Sequence, residues 1–120
     1  NITMFDPKLD QEATKMTKQV NLSNDLAKFP AGIKTKVDLD QENLSGGQKQ
    51  KVVLARARVH GCQLLLIDEG TSAIDSNATE EILQKLLKSD QTIIMIAHNF
   101  SDKLMQKFDL RIHLDKSEAN

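Results

Sequence analysis

Tryptophan and tyrosine are absent from this 120-residue sequence, and phenylalanine occurs four times. Any core must therefore be aliphatic. Leu, Ile, Val and Phe together supply 33 of the 120 residues, above the roughly 20% below which disorder becomes the default. A single cysteine, Cys62, excludes an internal disulfide framework and fits a reducing compartment. Placed just before an apolar run, it is expected to be a small buried residue. Long hydrophobic runs are missing as well. The longest, Ile93 to Ala97, is five residues, against about 18–20 for a membrane span. Residues 1–30 contain no apolar stretch of the kind that forms a secretory signal. Charge of one sign is not in excess either: the formal net charge is −1, so no broad basic surface for nucleic acid or anionic lipid is implied.

What is present is periodicity. Leu9, Ala13, Met16 and Val20 recur at spacings of four, three and four, one narrow helical stripe over Lys8 to Val20. Asp6-Pro7 is its start signal. A second short helix is expected over Leu22 to Phe29, stopped by Pro30 and Gly32. Residues 33–43 read as a loop. Lys49 to His60 is expected to be a third helix, and Thr79 to Lys88 another, opened by Asp75 or Ser76. Leu64 to Ile67 and Thr92 to Ala97 read as buried strands. Ser101 caps a short helix to Phe108, and Leu110 to Leu114 reads as a last strand. Strand, helix, strand, helix, strand after residue 63 predicts an α/β fold with a parallel sheet behind a mostly helical first half. The expected division is a helical part over 1–60 and a sheet-based part over 61–120.

Four segments carry chemistry. In Leu44-Ser45-Gly46-Gly47-Gln48, Ser45 and Gln48 have the spacing of a helix capping box. Gly46 and Gly47 count against an ordinary helix start, because each costs up to ~1 kcal/mol in a helix relative to Ala. They offer close access to backbone N–H groups at the positive end of a helix dipole, an anion site suited to phosphate. Lys49 and Lys51 then read as solvated charge. Leu64 to Ile67 ends in Asp68-Glu69. Ligands of open α/β sheets collect at the carboxyl ends of strands, so Asp68 is a candidate Mg²⁺ ligand and Glu69 a candidate base for an attacking water. Against this stands the plain reading of two turn residues. Asp75, in Ser72-Ala73-Ile74-Asp75, has the setting of a helix N-cap. His98 directly follows the strand Ile93 to Ala97 and is expected to face the same crevice as Asp68 and Glu69.

The order of these segments is more specific than any one of them. It resembles the nucleotide-binding domain of ATP-binding cassette (ABC) proteins. Leu44 to Gln48 match the family's signature motif, Leu64 to Glu69 the Walker B strand with its catalytic glutamate, Ser72 to Asp75 the D-loop, and His98 the switch histidine. The resemblance spans about Ile2 to Leu114. The approach to the signature, Ile33 to Val37, looks like that of the exporter type, although Asp38-Leu39-Asp40-Gln41 stands where exporters usually carry Gly-Glu-Arg-Gly.

The resemblance implies a partial P-loop NTPase fold with a helical signature subdomain, and it implies ATP and Mg²⁺. Ser45, Gly46, Gly47 and Gln48 would bind nucleotide held by a second nucleotide-binding domain in a head-to-tail dimer. Asp68 would position the metal, Glu69 the water, and His98 the γ-phosphate, with Asp75 at the dimer interface. The implied function is an ATPase powering export, attached to transmembrane domains at the cytoplasmic face of a membrane, with no nucleic-acid partner. The alternatives are a soluble ABC-type ATPase of DNA repair or translation, and a non-catalytic interaction module. None of the five glycines is followed by Lys, so the family's phosphate-binding loop of the form G-x-x-x-x-G-K-[ST] is missing. The chain is thus expected to be a soluble C-terminal fragment of such a domain, inactive alone. Its strands would flank a gap, leaving it prone to self-association.

Overall fold

The structure, a computed structural model, describes residues 1–37, 43–69, 73–96 and 101–114. The Asp6 carboxylate accepts a hydrogen bond from the Lys8 N–H at 3.0 Å, and Pro7 lies in a 3-10 turn, Pro7–Leu9, that feeds into helix α1 (Asp10–Gln19). A proline suits this first turn because its missing N–H would have had no helical acceptor. The stripe read from the sequence is the buried one: Ala13 and Met16 face inward, with Val20 at the helix exit. Buried Thr17 is satisfied locally, its hydroxyl donating to the Thr14 carbonyl at 2.8 Å.

Helix α2 is shorter than expected, Ser23–Leu26. Beyond it the N–H groups of Lys28, Phe29 and Gly32 each reach three residues back. The chain thus tightens around Pro30, which has no N–H to give. Helix α3 (Gly46–Val59) begins three residues before the expected Lys49, because both glycines belong to its first turn. It packs along α1. At its end Gly61 takes a positive φ of 66°, with its N–H bonded to the Arg58 carbonyl at 3.1 Å. This is the left-handed exit that glycine adopts without steric cost.

Strand β1 (Leu64–Asp68), helix α4 (Ser76–Leu87) and strand β2 (Thr92–Ile96) form a βαβ unit. The strands pair in parallel from Leu64 opposite Thr92 to Asp68 opposite Ile96. Helix α5 (Asp102–Met105) follows, and Ser101 caps it as expected, its Oγ accepting from the Leu104 N–H at 3.3 Å. One core unites both halves: Leu65 and Ile67 of β1, Ile82, Leu83 and Leu86 of α4, Val52, Leu54, Ala55 and Val59 of α3, and the α1 stripe.

Three expectations need correction. The strands are not buried on both faces. Leu65 and Ile67 are buried, while Leu66 is 67% exposed, Ile94 55% and Ile96 54%. In register these exposed residues form one contiguous outer face. Leu110 to Leu114 is not a strand; Leu110, Ile112 and Leu114 lie in irregular chain and are exposed. A strand exists only by pairing with another, and no described strand runs beside this segment. Cys62 is exposed, not buried. It lies in the short link from Gly61 to β1, where its carbonyl accepts from the Gln91 side-chain amide.

An outer face this apolar should drive the isolated 120-residue chain to associate. Sedimentation is expected to give concentration-dependent oligomers, reduced by the pair Leu66→Glu and Ile94→Lys. A monodisperse monomer that unfolds cooperatively above about 60 °C would refute this.

Candidate functional site

The candidate site is organised around the first turn of α3. Ser45 stands at its N-cap in extended conformation. Its Oγ accepts from the Gln48 N–H at 3.2 Å, and Gln48 Oε1 accepts in return from the Ser45 N–H at 2.9 Å. The capping box that the glycines seemed to disfavour is therefore formed. By helix geometry the N–H groups of Gly46 and Gly47 have no intrahelical acceptor, and they lie at the positive end of the α3 dipole.

The glycines have a second reason to be glycine. A Cβ added at Gly47 would lie 2.7 Å from the Ala73 carbonyl oxygen and 3.6 Å from the Ile74 Cα; at Gly46 it would meet the Ala73 Cβ at 3.3 Å. Backbone packs on backbone here. The Ala73 N–H also donates to Gln50 Oε1 at 3.1 Å, tying the loop to α3 from its other edge. Two residues on, Asp75 caps α4, with Oδ1 accepting from the Ala78 N–H at 2.9 Å. The structure thus brings Ser45 to Gln48 together with the Ala73 to Asp75 loop, and Asp75 takes the capping position foreseen for it.

Asp68 and Glu69 lie at the carboxyl end of β1, both exposed. Asp68 shares the outer face with Leu66 and pairs with Ile96. The Glu69 N–H donates to the Ile96 carbonyl at 3.1 Å, carrying the ladder one residue past the strand. Glu69 itself has φ 47°. A left-handed non-glycine residue costs roughly 1–2 kcal/mol, and such strain is concentrated at functional positions. Among the described residues no three acidic, histidine or cysteine side chains gather. A lone strand-end carboxylate suits Mg²⁺, which keeps waters and phosphate oxygens as its remaining ligands. His98, Ser72 and Gly70 lie outside the described residues.

The sequence reading missed Asp25 and misjudged Lys51. Lys51 is not free in solvent: its Nζ donates to Asp25 Oδ2 at 2.9 Å and to the Asn21 carbonyl at 3.2 Å, and its side chain is only 13% exposed. Burial alone would raise the Asp25 pKa. The Lys51 hydrogen bond, the neighbouring Gln48 side chain and the nearby charges of Lys51 and Lys28 outweigh it and hold the carboxyl below its ordinary value. One sequence signal existed: Lys51 follows Gln48 by three residues, on the same helix face.

Two outcomes follow. Gly47→Ala gains up to ~1 kcal/mol of helix propensity but overpacks against backbone, at a cost of about 1–3 kcal/mol. It should lower the denaturant midpoint, whereas Gly46→Ala, facing one methyl, should be close to neutral. Asp25, depressed in the folded state, stabilises fully above its unfolded pKa of about 3.9 and loses that contribution as pH falls through the lower folded value. Urea midpoints measured below about pH 5 should fall less steeply for Asp25→Asn than for the unaltered chain.

Comparison with known proteins gives these geometries a context. The family model described as "ABC transporter" matches residues 1–72. The chain is 38% identical over 91 residues to the Lactococcin-A transport/processing ATP-binding protein LcnC of Lactococcus lactis subsp. lactis, covering 76% of this chain and 13% of that protein. It is 41% identical over 101 residues to P-glycoprotein 14 of Caenorhabditis elegans, covering 82% and 8%. A bacterial Atm1-family ABC exporter, solved with ATP bound, superposes with a TM-score of 0.67 at 35% identity, over 75% of this chain and 16% of that one. The chain therefore spans only a small part of the length of these relatives. Its mixed helices and small parallel sheet match the ABC ATPase fold, and the chain belongs to the ABC transporter family.

Proposed function

We propose that this chain is part of the ATP-binding and ATP-hydrolysing domain of an ABC transporter that powers export across a membrane. Residues 1–60 act as the signature subdomain and 61–120 as the second half of the catalytic core. The observation that carries the reading is the first turn of α3. Its glycines pack on the Ala73 backbone while their own N–H groups remain at the positive end of the helix. The names of the relatives, a lactococcin-A transport/processing protein and an exporter with ATP bound, support ATP as ligand and export as purpose.

In this mechanism Ser45, Gly46 and Gly47 donate to the γ-phosphate of an ATP seated on a second nucleotide-binding domain, and Gln48 holds Ser45 in place. Asp68 would hold Mg²⁺, which when bound would supply positive charge beside the phosphate. Glu69, the next residue along the chain and itself in the left-handed conformation, accepts the proton of the attacking water. His98 contacts the γ-phosphate. Asp75 lies where the two domains meet, joining each signature segment to its own α4. Transmembrane domains at the cytoplasmic face of the membrane convert closure and opening into transport. No helix among the described residues is long and apolar enough to cross a membrane. The 120-residue chain alone, with no G-x-x-x-x-G-K-[ST] loop, is inactive in this reading.

The test is Glu69→Gln in the full-length protein. ATP binding should persist while turnover falls by about 10²–10⁴, the usual contribution of a general base. Unchanged turnover would remove Glu69 from that role. Mg·ATP turnover by the isolated 120-residue chain, abolished by the same substitution, would overturn the claim of inactivity.

A further inference from the structure

Gly46, Gly47 and Gln50 lie on one face of α3, because residues three and four apart are neighbours on a helix. That face meets the Ala73 backbone. The contacts it makes there differ in kind. At Gly47 the helix leaves room for the Ala73 carbonyl, and packing of this sort stops the loop from coming closer without stopping it from sliding or lifting away. At Gln50 the side-chain Oε1 accepts from the Ala73 N–H at 3.1 Å, a directional bond that holds the loop where the packing admits it. We infer that Gln50 is a positioning residue for ATP turnover, keeping the Ala73 to Asp75 loop in register with the Ser45 to Gly47 donors so that both meet the second domain as one surface. The inference rests on the function proposed above.

The loop has a use for such a tether. Ala73 and Asp75 are exposed, and the side chain between them, Ile74, is buried in the core. One apolar side chain sets the depth of a loop but leaves the rotation of the flanking peptide groups open. Asp75 is committed through Oδ1 to the Ala78 N–H at 2.9 Å, so any shift of the loop passes into the first turn of α4.

On the α3 side, the helix start is already closed by Ser45 and Gln48, each side chain accepting from the other's backbone N–H. The Gln50 bond adds nothing to that cap. It reaches across to the neighbouring loop from a half-buried position one turn further along. Gln50 thus acts through the Ala73 N–H, and the end of α3 and the start of α4 are tied as one block.

The experiment uses the full-length protein and reads ATP turnover, thermal stability and hydrogen exchange in the peptide containing Ala73. Gln50→Met keeps the length of the side chain and removes the acceptor. It should speed exchange at Ala73 and lower kcat at least about fivefold, short of the about hundredfold that a misplaced group can cost, with a smaller change in the KM for ATP. Gln50→Glu, which keeps an acceptor of the same length, should retain both the protection of Ala73 and most of kcat. A role in packing alone would not produce that rescue. Gln50→Ala, which favours the helix, repeats the test if Gln50→Met does not fold. Unchanged kcat in Gln50→Met, a loss of kcat with Ala73 still protected, or equal losses in Gln50→Met and Gln50→Glu would each overturn the inference and leave the signature reading standing. Turnover unaltered by Ser45→Ala would overturn the signature reading and this inference with it.

Discussion

The close approach of the Ala73 backbone to Gly47 is the constraint around which the rest is arranged. A carbonyl that would stand 2.7 Å from any Cβ forces glycine at that position. Glycine there weakens the helix start, and the weakness is met by the Ser45–Gln48 capping box, by the Gln50 contact to Ala73 and by the Asp25–Lys51 pair. Each of these is a modest interaction of order 1 kcal/mol. Together they hold a helix terminus that propensity alone would leave frayed, and they hold it against the loop that starts α4.

The sheet depends on packing of a different kind. Leu65 and Ile67 are secured by α4, whose Ile82, Leu83 and Leu86 are all but fully buried. The opposite face has no such cover. A two-stranded sheet is marginal by itself, so this unit persists through its crossover helix and through the core it shares with α1 and α3. Among the described residues, the strand that ends at Asp68 is held through its buried face, Leu65 and Ile67.

Much of this was legible in the sequence. The α1 stripe, the Asp75 and Ser101 caps and the order of strands and helices follow from local periodicity and from side chains that bond their own backbone, which are short-range effects. The family was legible through the order of the chemistry-bearing segments. Three kinds of feature were not. Lys51 looked like solvated charge because its partner Asp25 lies 26 residues away, a separation no local pattern reports. Leu110 to Leu114 has strand composition but no described strand beside it, and strand propensity is largely a statement about neighbours. Continuous apolar runs at Leu64 and Ile93 suggested burial on both faces; they mark residues able to be buried, and here Leu64, Leu66, Ile94 and Ile96 are exposed.

At Ser45 the sequence posed an opposition between a helix cap and a phosphate contact, and the geometry dissolves it. A serine hydroxyl carries two lone pairs and one proton. The Gln48 N–H occupies a lone pair, and that leaves the proton to be given outward. One side chain can therefore close the helix and donate to an anion at the same time. Aspartate, an equally good N-cap, would close the helix as well but would offer an incoming phosphate only negative charge. Between serine and aspartate the helix itself has no preference, and an anionic ligand of the kind proposed would favour serine.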